Sequence, residues 1–111
     1  MDIIITCPDT QGEGIEALCN FYTNESGLLY FRVSGLPKNC SEGDKCYICS
    51  NGKIIGYHLI TSMGHVSQEE TSTLSHGNWS EGNYIIRNAS TWNELEDKID
   101  MKGFQGFRYF K

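Results

Sequence analysis

The stretch that decides the fold is residues 43–60, with the sequence GDKCYICSNGKIIGYHLI. Asn51 and Gly52 stand between two runs rich in β-branched and aromatic residues. A type I′ turn needs positive φ at two consecutive positions, and Asn-Gly adopts this conformation more readily than other pairs. The stretch therefore predicts a β-hairpin with strands over Lys45–Ser50 and residues 53–60.

A two-residue turn also predicts the register of this hairpin. The expected pairs are Ser50 with Lys53, Cys49 with Ile54, Ile48 with Ile55, Tyr47 with Gly56 and Cys46 with Tyr57. Side chains alternate along a strand, so one face should carry Cys46, Ile48, Ile55, Tyr57 and Leu59. The other face should carry Lys45, Tyr47, Cys49, Ile54, His58 and Ile60. Because both faces are largely apolar, the hairpin belongs inside a sandwich or a closed barrel.

Shorter patterns predict the elements around the hairpin. Strands are expected over residues 3–7, Leu28–Val33, 83–87 and 107–110. Helical spacing of Ile15, Leu18, Cys19 and Tyr22 predicts a helix over residues 14–22. A capping-box pattern, Thr91-x-x-Glu94, predicts a helical turn over residues 92–97. Residues 61–77 are polar without a sustained period, which is typical of a long loop.

These elements predict an α+β, mainly β fold. We expect one domain over residues 1–111, built as a small closed or nearly closed β-barrel of five to six strands with one or two short helices. A chain of 111 residues is long enough to bury one compact core.

The charge balance limits the class of partner. Nine basic and fourteen acidic residues give a net charge of −5. This balance argues against a broad basic face for nucleic acid, which must neutralise several phosphates. It leaves open a pocket for a single base, or a basic protein partner.

The cysteines and the first residues bear on cellular location. There are five cysteines, an odd number, and we expect them to be free thiols because no secretory leader precedes them. No run approaches the roughly 18 apolar residues of a membrane span. We therefore expect a cytoplasmic protein without a membrane segment.

Several motifs resemble one known superfamily. Gly43-Asp44 precedes a predicted strand, and Gly-x-Ile-x-Gly follows at residues 52–56. A Trp-x-x-Gly-x-Tyr-Ile-Ile-Arg run ends at Arg87, and Gly-Phe-Gln-Gly-Phe-Arg-Tyr-Phe occupies residues 103–110. This pattern, over about residues 28–111, resembles the PUA-like superfamily, whose relatives include the ASCH and EVE domains. The resemblance implies a small β-barrel with peripheral helices that binds RNA, or a modified base in a pocket.

The same resemblance bears on enzymatic activity. ASCH enzymes carry a Gly-x-Lys-x-x-Glu-x-Arg run near the first helix. The corresponding residues here, 12–17, contain neither the lysine nor the arginine. The sequence therefore favours a protein without catalytic activity.

Aromatic and polar residues of the second half supply candidate binding groups. Tyr57, Trp79 and Trp92 could stack on a base, and Arg87, Gln105 and Arg108 could bind its edge or a phosphate. The alternative is structural: the rings fill the barrel, and Arg108 pairs with Asp97 or Asp100.

Two further constellations bear on metal binding and on catalysis. Cys46-x-x-Cys49 lies within a strand, where positions i and i+3 point to opposite faces, so we expect buried thiols and no metal. His65 or His76 with Glu69, Glu70 or Glu81 could form an acid–base pair, although no spacing requires it.

Three functions are consistent with these patterns. The first is a non-catalytic, PUA-like binding module that recognises a nucleotide, a modified base or RNA, without a cofactor. The second is a small acidic interaction protein, of the phage or mobile-element inhibitor type, that masks a basic surface on a nucleic-acid enzyme. The third is an ASCH-like hydrolase that uses Glu16 or His65.

Overall fold

The structure is a computed structural model, and it describes residues 1–7, 14–67 and 81–110. In chain order, its elements are β1 (Ile3–Thr6), α1 (Gly14–Asn24), β2 (Leu28–Val33), β3 (Lys45–Ser50), β4 (Lys53–Val66), β5 (Gly82–Asp100) and β6 (Phe107–Tyr109). The predicted α+β, mainly β class is confirmed. Among the described residues, no helix is long and apolar enough to cross a membrane.

The six strands form one curled, half-barrel sheet in the order β2-β5-β4-β3-β1-β6. β1 runs parallel to β3, and the other neighbours are antiparallel. β2 and β6 lie at the two ends of this order. Closure of the barrel stays a prediction.

The central turn has the predicted geometry. Asn51 has a φ of 52° and Gly52 a φ of 78°, as a type I′ turn requires. Ser50 pairs with Lys53 and Cys49 with Ile54, as expected. Beyond these two pairs the predicted register is wrong, since a β-bulge makes Ile48 pair with Gly56.

The bulge reverses which β4 side chains lie on each face. Tyr47 now pairs with Tyr57, and Cys46 pairs with His58. The bulge adds one residue to β4. Because side chains alternate along a strand, the β4 residues after the bulge lie on the opposite face from the one predicted. His58 and Ile60 therefore share the face of Cys46, and Tyr57 lies on the other face with Tyr47.

Both faces of the hairpin are covered, as its two apolar sides require. On one face, Cys46, Ile48, Ile55 and Ile60 pack with residues of α1, including Cys19 and Tyr22. On the other face, hairpin side chains pack with residues of the β5 bulge and of the C-terminal segment. These are Tyr47, Cys49 and Ile54 of the hairpin, Leu95 of the bulge, and Met101, Phe104 and Phe110 of the C-terminal segment. The sheet is thus the middle layer of the molecule.

Two predicted elements are wrong, and both lie near strand ends. β4 continues to Val66, so residues 61–66 are strand, while residues 68–77 of the predicted loop lie outside the described residues. The predicted helical turn over residues 92–97 lies instead within the bulged strand β5. Residues 95–98 face Ile55 alone, between the pairs Gly56–Glu94 and Ile54–Ile99.

The capping-box threonine has a different role in this bulged strand. Thr91 Oγ1 accepts a hydrogen bond from the Leu59 amide (2.8 Å) and donates one to the Asn88 carbonyl (2.5 Å). The side chain thus satisfies backbone groups where the β4–β5 ladder is interrupted. The pairing of β4 with β5 therefore overrides the local helix-capping signal at Thr91.

Gly56 provides a direct test of this packing. A Cβ at Gly56 would lie 2.4 Å from Trp92 Cη2 and 2.6 Å from the Asn93 carbonyl oxygen. Because neither a packed indole nor the backbone can move away easily, we expect Gly56→Ala to lower the free energy of unfolding by about 2 kcal/mol. Urea unfolding would measure this loss.

Gly64 offers the matched control in the same strand. Nothing lies within 4 Å of a Cβ at Gly64, and its φ is not positive. Gly64→Ala should change the free energy of unfolding by no more than about 0.5 kcal/mol. Equal effects of the two substitutions would contradict the close packing of Gly56 on Trp92.

Candidate functional site

Four polar side chains meet between α1 and the sheet. They are Tyr22 of α1, His58 of β4, and Arg87 and Trp92 of β5, and we call them the buried polar cluster. Alternation along the strands explains two of these positions, since His58 lies two residues from Ile60 and Arg87 two residues from Ile85. Ile60 and Ile85 both belong to the core beneath α1.

The three rings of the cluster contact one another. Ring centroids are 4.6 Å apart for Tyr22 and Trp92, and 4.9 Å apart for both Tyr22–His58 and His58–Trp92. These distances and tilted or edge-on arrangements are favourable for aromatic pairs. The rings enclose the polar atoms and separate them from bulk water.

Five buried nitrogen atoms of the cluster lack a hydrogen-bond partner among the described residues. His58 is 0% exposed and Arg87 is 4% exposed. Within the part of the chain that the structure describes, no hydrogen-bond partner is found for either ring nitrogen of His58, for Nε and Nη1 of Arg87, or for Nε1 of Trp92. Most buried polar groups in folded proteins are hydrogen-bonded. Five unpartnered atoms in one cluster are therefore unusual, and they make it the candidate functional site.

Burial also sets the charges of the cluster. It lowers the pKa of His58 to about 3, with a further contribution from the positive charge of Arg87. Burial raises the pKa of Tyr22, whose hydroxyl interacts with Cys7 and Arg87, and raises the pKa of the neighbouring Cys46 thiol to about 12. Each of these neighbours is thus neutral near pH 7, and Arg87 carries the charge.

This arrangement is suited to binding an acceptor-rich group. Arg87 and Trp92 can only donate hydrogen bonds, and neutral His58 has one donor and one acceptor. The nearby Cys46 is a protonated thiol, which is a poor nucleophile. The cluster can thus supply several hydrogen-bond donors from a small region.

The structure brings together two of the six predicted site residues, Arg87 and Trp92. Tyr57 lies on the opposite face, where its ring is 5.4 Å from that of Tyr47 and 4.8 Å from Lys45 Nζ. Trp79 lies outside the described residues.

The other two predicted residues, Gln105 and Arg108, lie near β6. Gln105 lines a groove of about 330 Å³ between the end of β2 and the start of β6. Arg108 is exposed, with its guanidinium 4.5 Å from the centroid of the Phe104 ring. Of its two suggested carboxylate partners, Asp100 forms an ion pair with Lys53.

Two other predicted constellations can be compared with the structure. Cys46 and Cys49 lie in separate cores on opposite faces, as their spacing predicted, and both are free thiols. His65 Nε2 lies 3.0 Å from Glu81 Oε1, so one of the suggested histidine–glutamate pairs does form. Both side chains are more than half exposed, so this solvated contact has a small energetic effect.

Sequence reasoning missed His58 and Tyr22 as members of the site. Tyr22 fits the apolar stripe of α1, and the predicted register places His58 on the wrong face of the hairpin. The available signal was Gly56, because a glycine inside a strand often marks a bulge. A bulge there would have moved His58, in place of Tyr57, to the side of Arg87.

Comparison of the chain with protein-family models, curated proteins and solved structures finds no match.

The buried imidazole predicts acid sensitivity. The pKa of His58 is about 3 in the folded protein against an ordinary value of 6.5. Between these values the unfolded chain binds a proton that the folded protein does not, so stability falls as the pH falls. From pH 7 to pH 5, we expect the free energy of unfolding to drop by about 2 kcal/mol. Urea unfolding at both pH values would measure the drop.

Two substitutions test whether His58 causes this drop in the free energy of unfolding. His58→Phe keeps a ring in the cluster and should remove most of the change. His65→Gln, at the exposed histidine, should leave most of it in place. A His58→Phe protein that keeps the full drop would contradict the buried, neutral imidazole.

Arg87 provides a second test. An unpaired buried charge opposes folding, so Arg87→Met should raise the free energy of unfolding of the ligand-free protein by about 1 kcal/mol or more. Arg108→Met, at an exposed arginine, should change it by no more than about 0.5 kcal/mol. A loss of several kcal/mol in Arg87→Met would mean that Arg87 serves the fold, and not a binding site.

Proposed function

We propose that this protein is a non-catalytic binding module that recognises a nucleotide or a modified base through the buried polar cluster. The observation that carries the proposal is the set of unpartnered N–H groups on Arg87, Trp92 and His58. Burying such groups without acceptors costs free energy, and a ligand rich in acceptor oxygens and nitrogens would recover it.

The aromatic rings support a flat ligand. Tyr22 and Trp92 face one another at 4.6 Å, and stacking on an aromatic ring contributes roughly 1–3 kcal/mol per base. Because these rings already touch, a base would reach Trp92 by displacing Tyr22 on α1. α1 is held to the sheet by side chains, including Cys19 and Tyr22, and no ladder hydrogen bonds fix it there.

The electrostatics favour binding over catalysis. A general base works best with a pKa near the working pH, and the pKa of His58 is about 3. Burial also raises the pKa of the Cys46 thiol to about 12, which keeps it unreactive. The cluster thus has donors for recognition and no activated nucleophile or base.

For the fold, we propose a nearly closed PUA-like barrel. The groove of about 330 Å³ has residues from both edges of the sheet along it: Val33, Ser34, Gly35 and Leu36 after β2, and Gln105, Gly106 and Phe107 at β6. The edges therefore approach one another at this end of the sheet. Their approach supports the resemblance drawn from the sequence motifs.

A second candidate function rests on the end of β5. Glu94, Glu96, Asp97 and Asp100 are all exposed within seven residues of this bulged strand. Lys98 pairs with Glu94 and Lys53 with Asp100, which leaves an excess of negative charge. Such a surface favours a basic protein partner, as the interaction-protein hypothesis requires.

The binding proposal predicts a localised response to nucleotides. Titration of ¹⁵N-labelled protein with the common nucleosides and their 5′-monophosphates should shift the indole resonance of Trp92 and amides of α1 and β5. Arg87→Met should weaken the response to the monophosphates, because the cluster loses its strongest donor. Arg108→Met serves as the matched control and should bind like the wild type.

The same samples discriminate between the two functions. No shift with any nucleoside or nucleotide would refute the binding proposal. Capture of a basic protein on immobilised wild-type chain, lost when Glu96 and Asp97 are both changed to Gln, would then support the acidic interaction surface.

A further inference from the structure

The charge of Arg87 is the feature of the cluster that most needs a partner. The described ion pairs join Met1 to Asp44, Lys53 to Asp100, His65 to Glu81 and Lys98 to Glu94. None of these described pairs includes Arg87, although it is 4% exposed. A buried guanidinium with no counter-charge is strongly unfavourable.

Three described neighbours of Arg87, namely Tyr22, Cys46 and His58, do not supply that counter-charge near pH 7. The Tyr22 hydroxyl interacts with Arg87, and burial keeps this hydroxyl protonated by raising its pKa. Cys46 is a protonated thiol for the same reason, and His58 is neutral. The cluster as a whole therefore carries one positive charge in a region closed to water.

The number of unpartnered donors favours an anion with several oxygens. Nε and Nη1 of Arg87 each need an acceptor, and Nε1 of Trp92 needs another. The acceptor edge of a neutral base offers few such atoms in one place, whereas a phosphate monoester has three terminal oxygens and at least one negative charge. One phosphate group can therefore accept hydrogen bonds from these donors and also neutralise the charge of Arg87.

The charge of the rest of the chain disfavours a polyanion. The net charge is −5, and the exposed acidic end of β5 begins at Glu94, two residues after Trp92. An RNA chain would place several phosphates against this surface, where four acidic side chains outnumber Lys53 and Lys98. A ligand with a single phosphate avoids this repulsion.

We propose that the buried polar cluster binds the phosphate of a small mononucleotide, with Arg87 as the residue that neutralises it. This inference rests on the proposed function and specifies its ligand as a nucleoside monophosphate, in place of an uncharged nucleoside or an RNA chain. Trp92 and His58 complete the set of donors around the phosphate.

The test compares five probes by isothermal titration calorimetry on the full chain: adenosine, adenosine 5′-monophosphate, inorganic phosphate, acetate and a six-nucleotide adenine RNA. The monophosphate should bind at least tenfold more tightly than the nucleoside. Inorganic phosphate should compete with it, and acetate should not compete at the same concentration. The same comparison with the other three bases would find the base that fits.

Substitutions test which residues bind the phosphate. Arg87→Met should reduce the ratio of monophosphate to nucleoside affinity to about one, and Arg108→Met should leave the ratio unchanged. Trp92→Phe keeps an aromatic ring and removes its N–H, so it should lower the ratio severalfold. The wild-type comparison needs no variant and stands even where a variant does not fold.

The outcomes separate this inference from the proposed function. Equal binding of nucleosides and monophosphates would overturn the phosphate assignment and leave the binding function standing. Inorganic phosphate binding without any nucleotide would support the anion site and overturn the nucleotide function. Tighter binding of the RNA with steep salt dependence, or equal competition by acetate, would overturn the single-phosphate ligand.

Discussion

The structure depends on a hairpin whose two faces must both be kept from water. Ile48 and Ile54 are fully or almost fully buried on opposite sides of the β3–β4 ribbon. Burying each such side chain contributes roughly 1.5–3 kcal/mol, so neither side can be left open. α1 covers one face, and the β5 bulge with residues 101–110 covers the other. The order of the layers follows from this single requirement.

Irregularity in the sheet creates the candidate site. The bulge after Ile54 moves His58 to the helix-covered face, and the missing side chain of Gly56 leaves room for the Trp92 indole. On β5, the interrupted ladder opposite β4 brings Trp92 to the same place as Arg87. Bulges commonly redirect side chains next to binding sites, and here they gather donors from two strands.

The cluster also shows a conflict between stability and binding. A core would be more stable with apolar groups in place of Arg87 and His58, because both are buried and both have nitrogen atoms without a hydrogen-bond partner in the described chain. Local violations of the rules for stable cores are expected at functional sites. The surrounding aromatic contacts and the apolar core beneath α1 hold these groups in place. This conflict is the physical basis of the proposed binding function.

The sequence alone determined the local features. Asn51-Gly52 predicted the turn, the spacing of Leu18 and Tyr22 predicted α1, and two apolar faces predicted a covered hairpin, because each signal depends on neighbours in the chain. Arg87 and Trp92 could also be selected as candidates. Only the tertiary structure decided that His58 joins them while Tyr57 does not. That choice depends on a one-residue bulge, stabilised by contacts between β4 and a distant part of β5, and such contacts leave no periodic signal in the sequence.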